Sequence, residues 1–351
     1  MQARTRASIR SFGFIVKKLY IVLKIARAMI VAMPAIFSAI HPSEEIASMF
    51  EIQTLIDSFH ESRQTGLVRL AYSPTENLYL FFKRGDVLAS SFITPDHTQA
   101  FTHAQWREKI QSAGDAYLKP IPLSSFGLLL SGLSMQLQGA QAEELSTPEK
   151  LSGFFNSKTR VMEPSLVQLN WRYSAGLVFF PERKDTPHSI YVSSETVLDV
   201  DGVSYAFDEW EDSKCEASVY FPDSSVELWQ EYRLRRLFAD ICPPVLARFE
   251  VLTGHALMES LVRLMMIFAS NHDLDISISS RSLVNREVFF SAEIAASTYR
   301  TFLSEIFEHC SAVIGPRLLA STLREIVTEL PAADKDMIKS YRLLPKGIFY
   351  D

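Results

Sequence analysis

A tripeptide that recurs in a fixed frame constrains this chain more than any other feature. Gly176-Leu177-Val178 repeats Gly66-Leu67-Val68 at an offset of 110 residues, and Val197-Leu198 repeats Val87-Leu88 at the same offset. The run Gly66 to Tyr72 reads as a strand, closed by the turn-rich Ser73-Pro74-Thr75-Glu76-Asn77. Leu78 to Phe82 reads as a second strand and Val87 to Phe92 as a third. The tight turn Lys83-Arg84-Gly85-Asp86 joins them, and its Gly85 can take a positive φ. A helix over Ser43 to Arg63 is expected ahead of these strands, with Ser43 as its cap. A second helix, Thr98 to Ser112, carries Phe101 and Trp106 and leads to the strand Gly114 to Pro120. Three strands with a helix can form a stable unit where a lone hairpin cannot.

In the second frame, Ile190-Tyr191-Val192 stands where Leu80-Phe81-Phe82 stands in the first. Ala206-Phe207 and Trp210 echo Ala100-Phe101 and Trp106, and Ala217 to Pro222 echoes Asp115 to Pro120. A tandem duplication is the expectation. Two unrelated meanders, each rich in β-branched and aromatic residues, are the alternative.

From Ser224 the periodicity turns helical. Val226, Trp229, Leu237, Phe238 and Ile241 line one helix, expected to stop at Pro243-Pro244. His255 to Ser270 is apolar nearly all round and is expected to be a buried core helix, with a Met-rich face for a partner as the less favoured alternative. Leu274, Ile276 and Ile278 alternate as a short strand. Tyr299, Phe302, Leu303, Ile306, Phe307 and Cys310 make one clean helical stripe, and Leu319, Leu323, Ile326, Val327 and Leu330 the next. A last helix is expected over Asp334 to Leu344. The fold class is therefore α+β, with two antiparallel meander-and-helix units followed by a small all-α domain. The expected segments are 1–42, a basic apolar stretch; 43–140 and 160–223, the two α+β units; and 224–351, the helical domain.

Charge limits the partners. The net charge is -6, yet residues 1–43 hold seven basic side chains and no acidic one, so the body is more acidic than the total suggests. Such a body matches nucleic acid poorly, because that affinity rests on neutralising phosphates. In residues 10–31, Lys17, Lys18, Lys24 and Arg27 argue against a spanning helix. Two readings fit this segment: a basic amphipathic helix at the inner face of a membrane, or an over-extended start upstream of Met33. Three scattered cysteines, Cys215, Cys242 and Cys310, fit neither a disulfide framework nor Cys-x-x-Cys spacing and suit a reducing cytoplasm.

The sequence contains no phosphate loop, dinucleotide fingerprint, nucleophile elbow or His-Glu-x-x-His zinc motif. No catalytic, cofactor-binding or metal-binding residue is assigned. His272-Asp273 lacks the further ligands a metal phosphohydrolase needs. Adjacent His309 and Cys310 point about 100° apart on a helix and make a poor dyad. Gly315-Pro316-Arg317 reads as a structural turn ahead of an anion site, and Glu209, Glu211 and Asp212 as a solvated acidic turn.

The run Thr65-Gly66-Leu67-Val68-Arg69-Leu70, then Leu80 to Ser90 with its Gly85 turn, then Trp106 and Gly114-Asp115-Ala116-Tyr117-Leu118, resembles the PATAN (PatA N-terminal-like) domain of bacterial signalling proteins. The likeness covers residues 44–125 and extends loosely over 165–222. It implies a non-catalytic protein-interaction module whose partners are bacterial signalling proteins, with self-association also carried as an expectation. Thr65, Gly66, Leu67, Phe82, Gly85, Val87, Ala89, Trp106 and Gly114, with Gly176, Leu177 and Val197 in the second frame, are then structural residues. A small-ligand sensor and an undetected hydrolase remain as alternatives.

Overall fold

A computed structural model describes residues 46–94, 97–137, 143–145, 164–171, 174–181, 187–193, 196–202, 215–279 and 282–344. The expected Ser43 cap, the segment 10–31, the Ala206, Phe207 and Trp210 echoes and the acidic cluster at 209–212 lie outside these residues. The chain divides into two compact units, Met1–Pro222 and Asp223–Asp351.

The first unit holds two antiparallel six-stranded sheets. In sheet one, the edge strand β1 (Ile46–Ala47) lies beside β6 (Ala116–Pro122). Then come β2 (Gly66–Ala71), β3 (Asn77–Lys83), β4 (Asp86–Ile93) and β5 (Thr98–Ala100). Sheet two repeats this order: β7 (Glu143–Leu145), β12 (Glu216–Tyr220), β8 (Ser165–Asn170), β9 (Ser174–Phe180), β10 (His188–Ser193) and β11 (Val197–Asp201).

The register matches as well as the order. Leu67 faces Phe81 and Ile121, and Leu166 faces Phe179 and Tyr220. Ser91 faces Ala100 as Ile190 faces Asp199. The offset is 99 residues from Leu67 to Leu166 and from Ala100 to Asp199, and 98 from Phe81 to Phe179. The 110-residue frame is therefore corrected. Gly66 opens β2, which lies against β6, whereas Gly176 lies within β9, between β8 and β10. The place that β2 (Gly-Leu-Val-Arg-Leu-Ala) takes in the order of sheet one is taken in sheet two by β8 (Ser-Leu-Val-Gln-Leu-Asn). Its leading serine hides it from a search keyed on glycine.

Helices cover one face of sheet one. Helix α1 (Met49–Glu61) is capped five residues after Ser43, by Ser48, whose hydroxyl accepts the Glu51 amide while the Glu51 carboxylate accepts the Ser48 amide. Its Ile52, Ile56 and Phe59 join Trp106 and Ile110 of α2 (His103–Ala113) over Val68, Leu70, Leu80 and Phe82. Residues 98–100, expected to be helical, form β5 instead, because Thr102 supplies the cap of α2. The alternate side chains Leu67, Tyr79, Phe81 and Ile121 point to the other face and are also buried. Helix α3 (Ser125–Gln136) packs on β2, and from Gly127 to Met135 every residue is buried.

The second unit is helical around one core. Helix α4 (Glu227–Thr253) runs through Pro243 and Pro244, correcting the expected stop. Each proline removes one helical bond, but both lie off the core side, while Ile241, Cys242, Val245 and Leu246 anchor the helix inside. Gly254 separates α4 from α5 (His255–Asn271). The hairpin β13 (Ile276–Ile278) and β14 (Leu283–Asn285) precedes α6 (Ala292–Ile314), whose expected stripe is buried throughout. Gly315, at φ 84°, turns the chain into α7 (Pro316–Glu329), and α8 (Ala332–Tyr341) closes the unit.

Candidate functional site

The motif residues of the first frame are absorbed by local construction. The Thr65 hydroxyl accepts the Arg84 amide at 3.1 Å and so braces the turn. A Cβ on Gly66 would stand 2.5 Å from the Ile121 carbonyl oxygen. Gly85 takes φ 89° and donates its amide to Gln64 at 2.8 Å, and a Cβ there would meet the His60 backbone at 2.7 Å. Leu67, Phe82 and Trp106 are core residues, Val87 and Ala89 lie on β4, and Gly114 ends α2. Gly176 and Leu177 lie within β9, the former against Trp171, and Val197 starts the edge strand β11. These residues do not converge on one site.

A different cluster does converge, and none of its residues was singled out as functional. His188 on β10 faces Asp201 across β11, with Asp199 one step along the same face of that strand. His188 Nε2 lies 2.5 Å from Asp199 Oδ1, and Nδ1 lies 2.9 Å from Asp201 Oδ1. The other Asp199 oxygen accepts the Ser124 amide at 2.5 Å, at the N-terminus of α3. There the helix dipole and free amides favour an anion. The Ser124 hydroxyl in turn accepts the Gly127 amide at 3.0 Å. A Cβ on Gly127 would overlap the Asp199 carboxylate, so a larger residue there would displace that side chain. Phe126 lies edge-on to His188 at 4.8 Å and to Phe179 at 6.0 Å. The side chains of His188 and Asp199 are each 8% exposed, that of Asp201 85%.

Burial opposes charge on both inner groups, and the bonds overcome it. The hydrogen bonds and charges of Asp199 and Asp201 leave the His188 pKa above its usual value. The His188 bond and the Ser124 amide leave the Asp199 pKa below its usual value. Both ring nitrogens face carboxylate oxygens, so the fully bonded species is the imidazolium.

In the second unit, Asp334 is 1% exposed and receives Arg233 at 2.8 Å and Arg236 at 2.9 Å. Asn285 donates to the Tyr299 hydroxyl at 2.9 Å, and Glu287 accepts the Asp275 amide at 2.8 Å. Burial pushes the Cys242 and Cys310 thiols up to about 12, which disfavours their thiolates. His255 is bonded to Glu250 at 2.8 Å, and His272 lies against the Phe268 ring. Among the described residues, no group of three or more His, Cys, Asp or Glu is placed to hold a metal ion. A groove of about 270 Å³ lined by Val327, Thr328, Lys335, Ile338 and Lys339 falls below the range usual for small-molecule sites.

Two expectations are corrected. Helix α5 is not buried all round: Met258, Leu261, Met265 and Ala269 face the core, but Leu257, Leu264 and Ile267 are 45%, 44% and 57% exposed. The cytoplasmic placement with peripheral attachment at the inner face of a membrane is withdrawn. Among the described residues no helix is long and apolar enough to cross a membrane, and the segment 10–31 that carried the expectation lies outside them.

No family model, curated protein or solved structure matches this chain.

Proposed function

We propose that this chain is a non-catalytic interaction module of bacterial signalling, of the kind the PATAN-like motif suggests, and that it meets its protein partner through α5. The observation that carries this reading is the exposed stripe Leu257, Leu264 and Ile267, placed at i, i+7 and i+10 on a helix whose other face is core. Stripes of this kind seat in hydrophobic grooves of partner proteins. The motif residues support it differently: they are consumed in holding turns and strands, which leaves recognition to other surfaces.

The stripe has a direct test. Affinity purification with the full chain should recover a defined protein. Leu264→Glu with Ile267→Glu should abolish that recovery while the circular dichroism and melting temperature stay near those of the parent. Recovery unchanged by the double substitution, or no partner recovered in repeated trials, would count against the reading.

We also infer that the first unit is a tandem duplication with an offset of 98 to 100 residues. The shared strand order and register support it. So does the exit from each sheet, which reads Pro122-Leu123-Ser124-Ser125 after the first and Pro222-Asp223-Ser224-Ser225 after the second. A crystal structure should superpose β2–β6 on β8–β12 strand for strand, with Leu67 on Leu166. A second sheet threaded in any other order would sink the inference.

A further inference from the structure

We propose that His188 is a proton-operated clasp: charged, it ties the edge strand β11 to the first turn of α3 through Asp199, and neutral, it loosens that turn. The geometry requires a cation in the closed state. Each imidazole nitrogen lies within hydrogen-bond distance of a different carboxylate oxygen. A neutral ring carries one N–H, so it must turn a lone pair toward one of the two carboxylates. The exposed Asp201 can turn away into water, so the neutral ring keeps its Nε2–H on Asp199, and Asp199, in a site nearly closed to water, exchanges a cationic partner for a neutral one and leans more on the Ser124 amide and the α3 dipole.

The groups around His188 are few. From β11 come Asp199 and Asp201, from β9 the apolar Phe179, and from α3 Ser124, Phe126 and Gly127, which do not titrate. Among the described residues, the two carboxylates are the titratable groups facing the ring.

The clasp is peculiar to sheet two. At the positions equivalent in register, sheet one carries Ala89 opposite Phe81 and Ala100 opposite Ser91. The neighbouring serine is present in both: Ser90 donates to the Phe101 carbonyl at 2.9 Å, and Ser189 to the Gly202 carbonyl at 2.6 Å. In sheet one these positions are half-buried (Ala89) and exposed (Ala100), so the strand pairing itself does not call for a histidine between two acids.

The pH window follows from the directions of the shifts. His188 is raised, so its contribution is complete below the ordinary imidazole value of about 6.5 and disappears as pH rises through its higher folded value. Asp199 is lowered, so its contribution is complete above the ordinary carboxylate value of about 3.8 and disappears as pH falls through its lower folded value. The clasp is closed in mildly acidic solution and opens toward the alkaline side.

Amide hydrogen exchange of residues 124–128 in the full chain, corrected for the intrinsic pH dependence of exchange, tests this. Protection should fall as pH rises through the His188 titration. The fall should be roughly tenfold for each pH unit by which the folded pKa exceeds the unfolded one. His188→Gln should show no such step. Asp201→Asn removes an exposed carboxylate, leaves α3 untouched, and should move the step to lower pH. A parent protein without the step, or the same step in His188→Gln, overturns the proposal. Should His188→Gln fail to fold, a step in Asp201→Asn at the parent pH overturns it.

Discussion

Replacing Asp334 by alanine should destabilise the helical unit by about 3–5 kcal/mol, the range for breaking a buried ion pair from one side. Its two oxygens bind Arg233 and Arg236, whose side chains are 13% and 9% exposed. Arg236 retains Asp240 at 3.7 Å, but Arg233 is left beside a like charge. The contact also fastens α8 to α4, so its loss should free the last helix. Urea unfolding followed through Trp229, which is buried on α4 and stacked on Tyr232 at 5.1 Å, would measure the change. A loss below about 1 kcal/mol would mean that the arginines find water or other acceptors at little cost.

Phe82→Ala should cost the first unit about 3–5 kcal/mol, the range for removing a fully buried aromatic ring. Phe82 is 0% exposed and lies 4.8 Å from the Phe59 ring, centroid to centroid. Its cross-strand partner is Gly66, which has no side chain to move into the space. Nor can Gly66 be enlarged to fill it, because a Cβ would strike the Ile121 carbonyl. Trp106 belongs to the same core and reports on it in a denaturant titration. A loss under about 1.5 kcal/mol would show that α1 settles onto the sheet and closes the cavity.

Features written in local chemistry were legible in the sequence. Strands β2, β3 and β4 follow from short apolar runs bounded by the turn at Ser73 to Asn77 and by Gly85. Helix α6 follows from six apolar residues at helical spacing, all of them buried. What escaped depends on partners distant in sequence. The 110-residue frame paired β2 with β9 because strands buried on both faces share a vocabulary of Leu, Val and Phe, and only hydrogen bonding tells neighbours apart. The prolines in α4 override their usual meaning because core contacts hold the helix on either side of them. The His188 cluster was invisible because His188, Asp199 and Ser124 meet through strand pairing and helix docking. A histidine followed eleven and thirteen residues later by aspartates would be the signal to seek, once a hairpin between them was assigned.

Helix α3 carries a consequence for synthesis. Its Leu128, Leu129, Leu130, Leu133 and Met135 are buried, and its first turn is seated against β9, β10 and β11. Those strands are translated after it, and sheet two is complete only at Tyr220, the end of β12. At about 5–20 residues per second, residues 137–220 take roughly 4–17 s to emerge. During that interval a leucine-rich helix waits beside a finished first sheet without its second cover. Holdase chaperones should engage nascent chains that end in this window and release those that extend past β12.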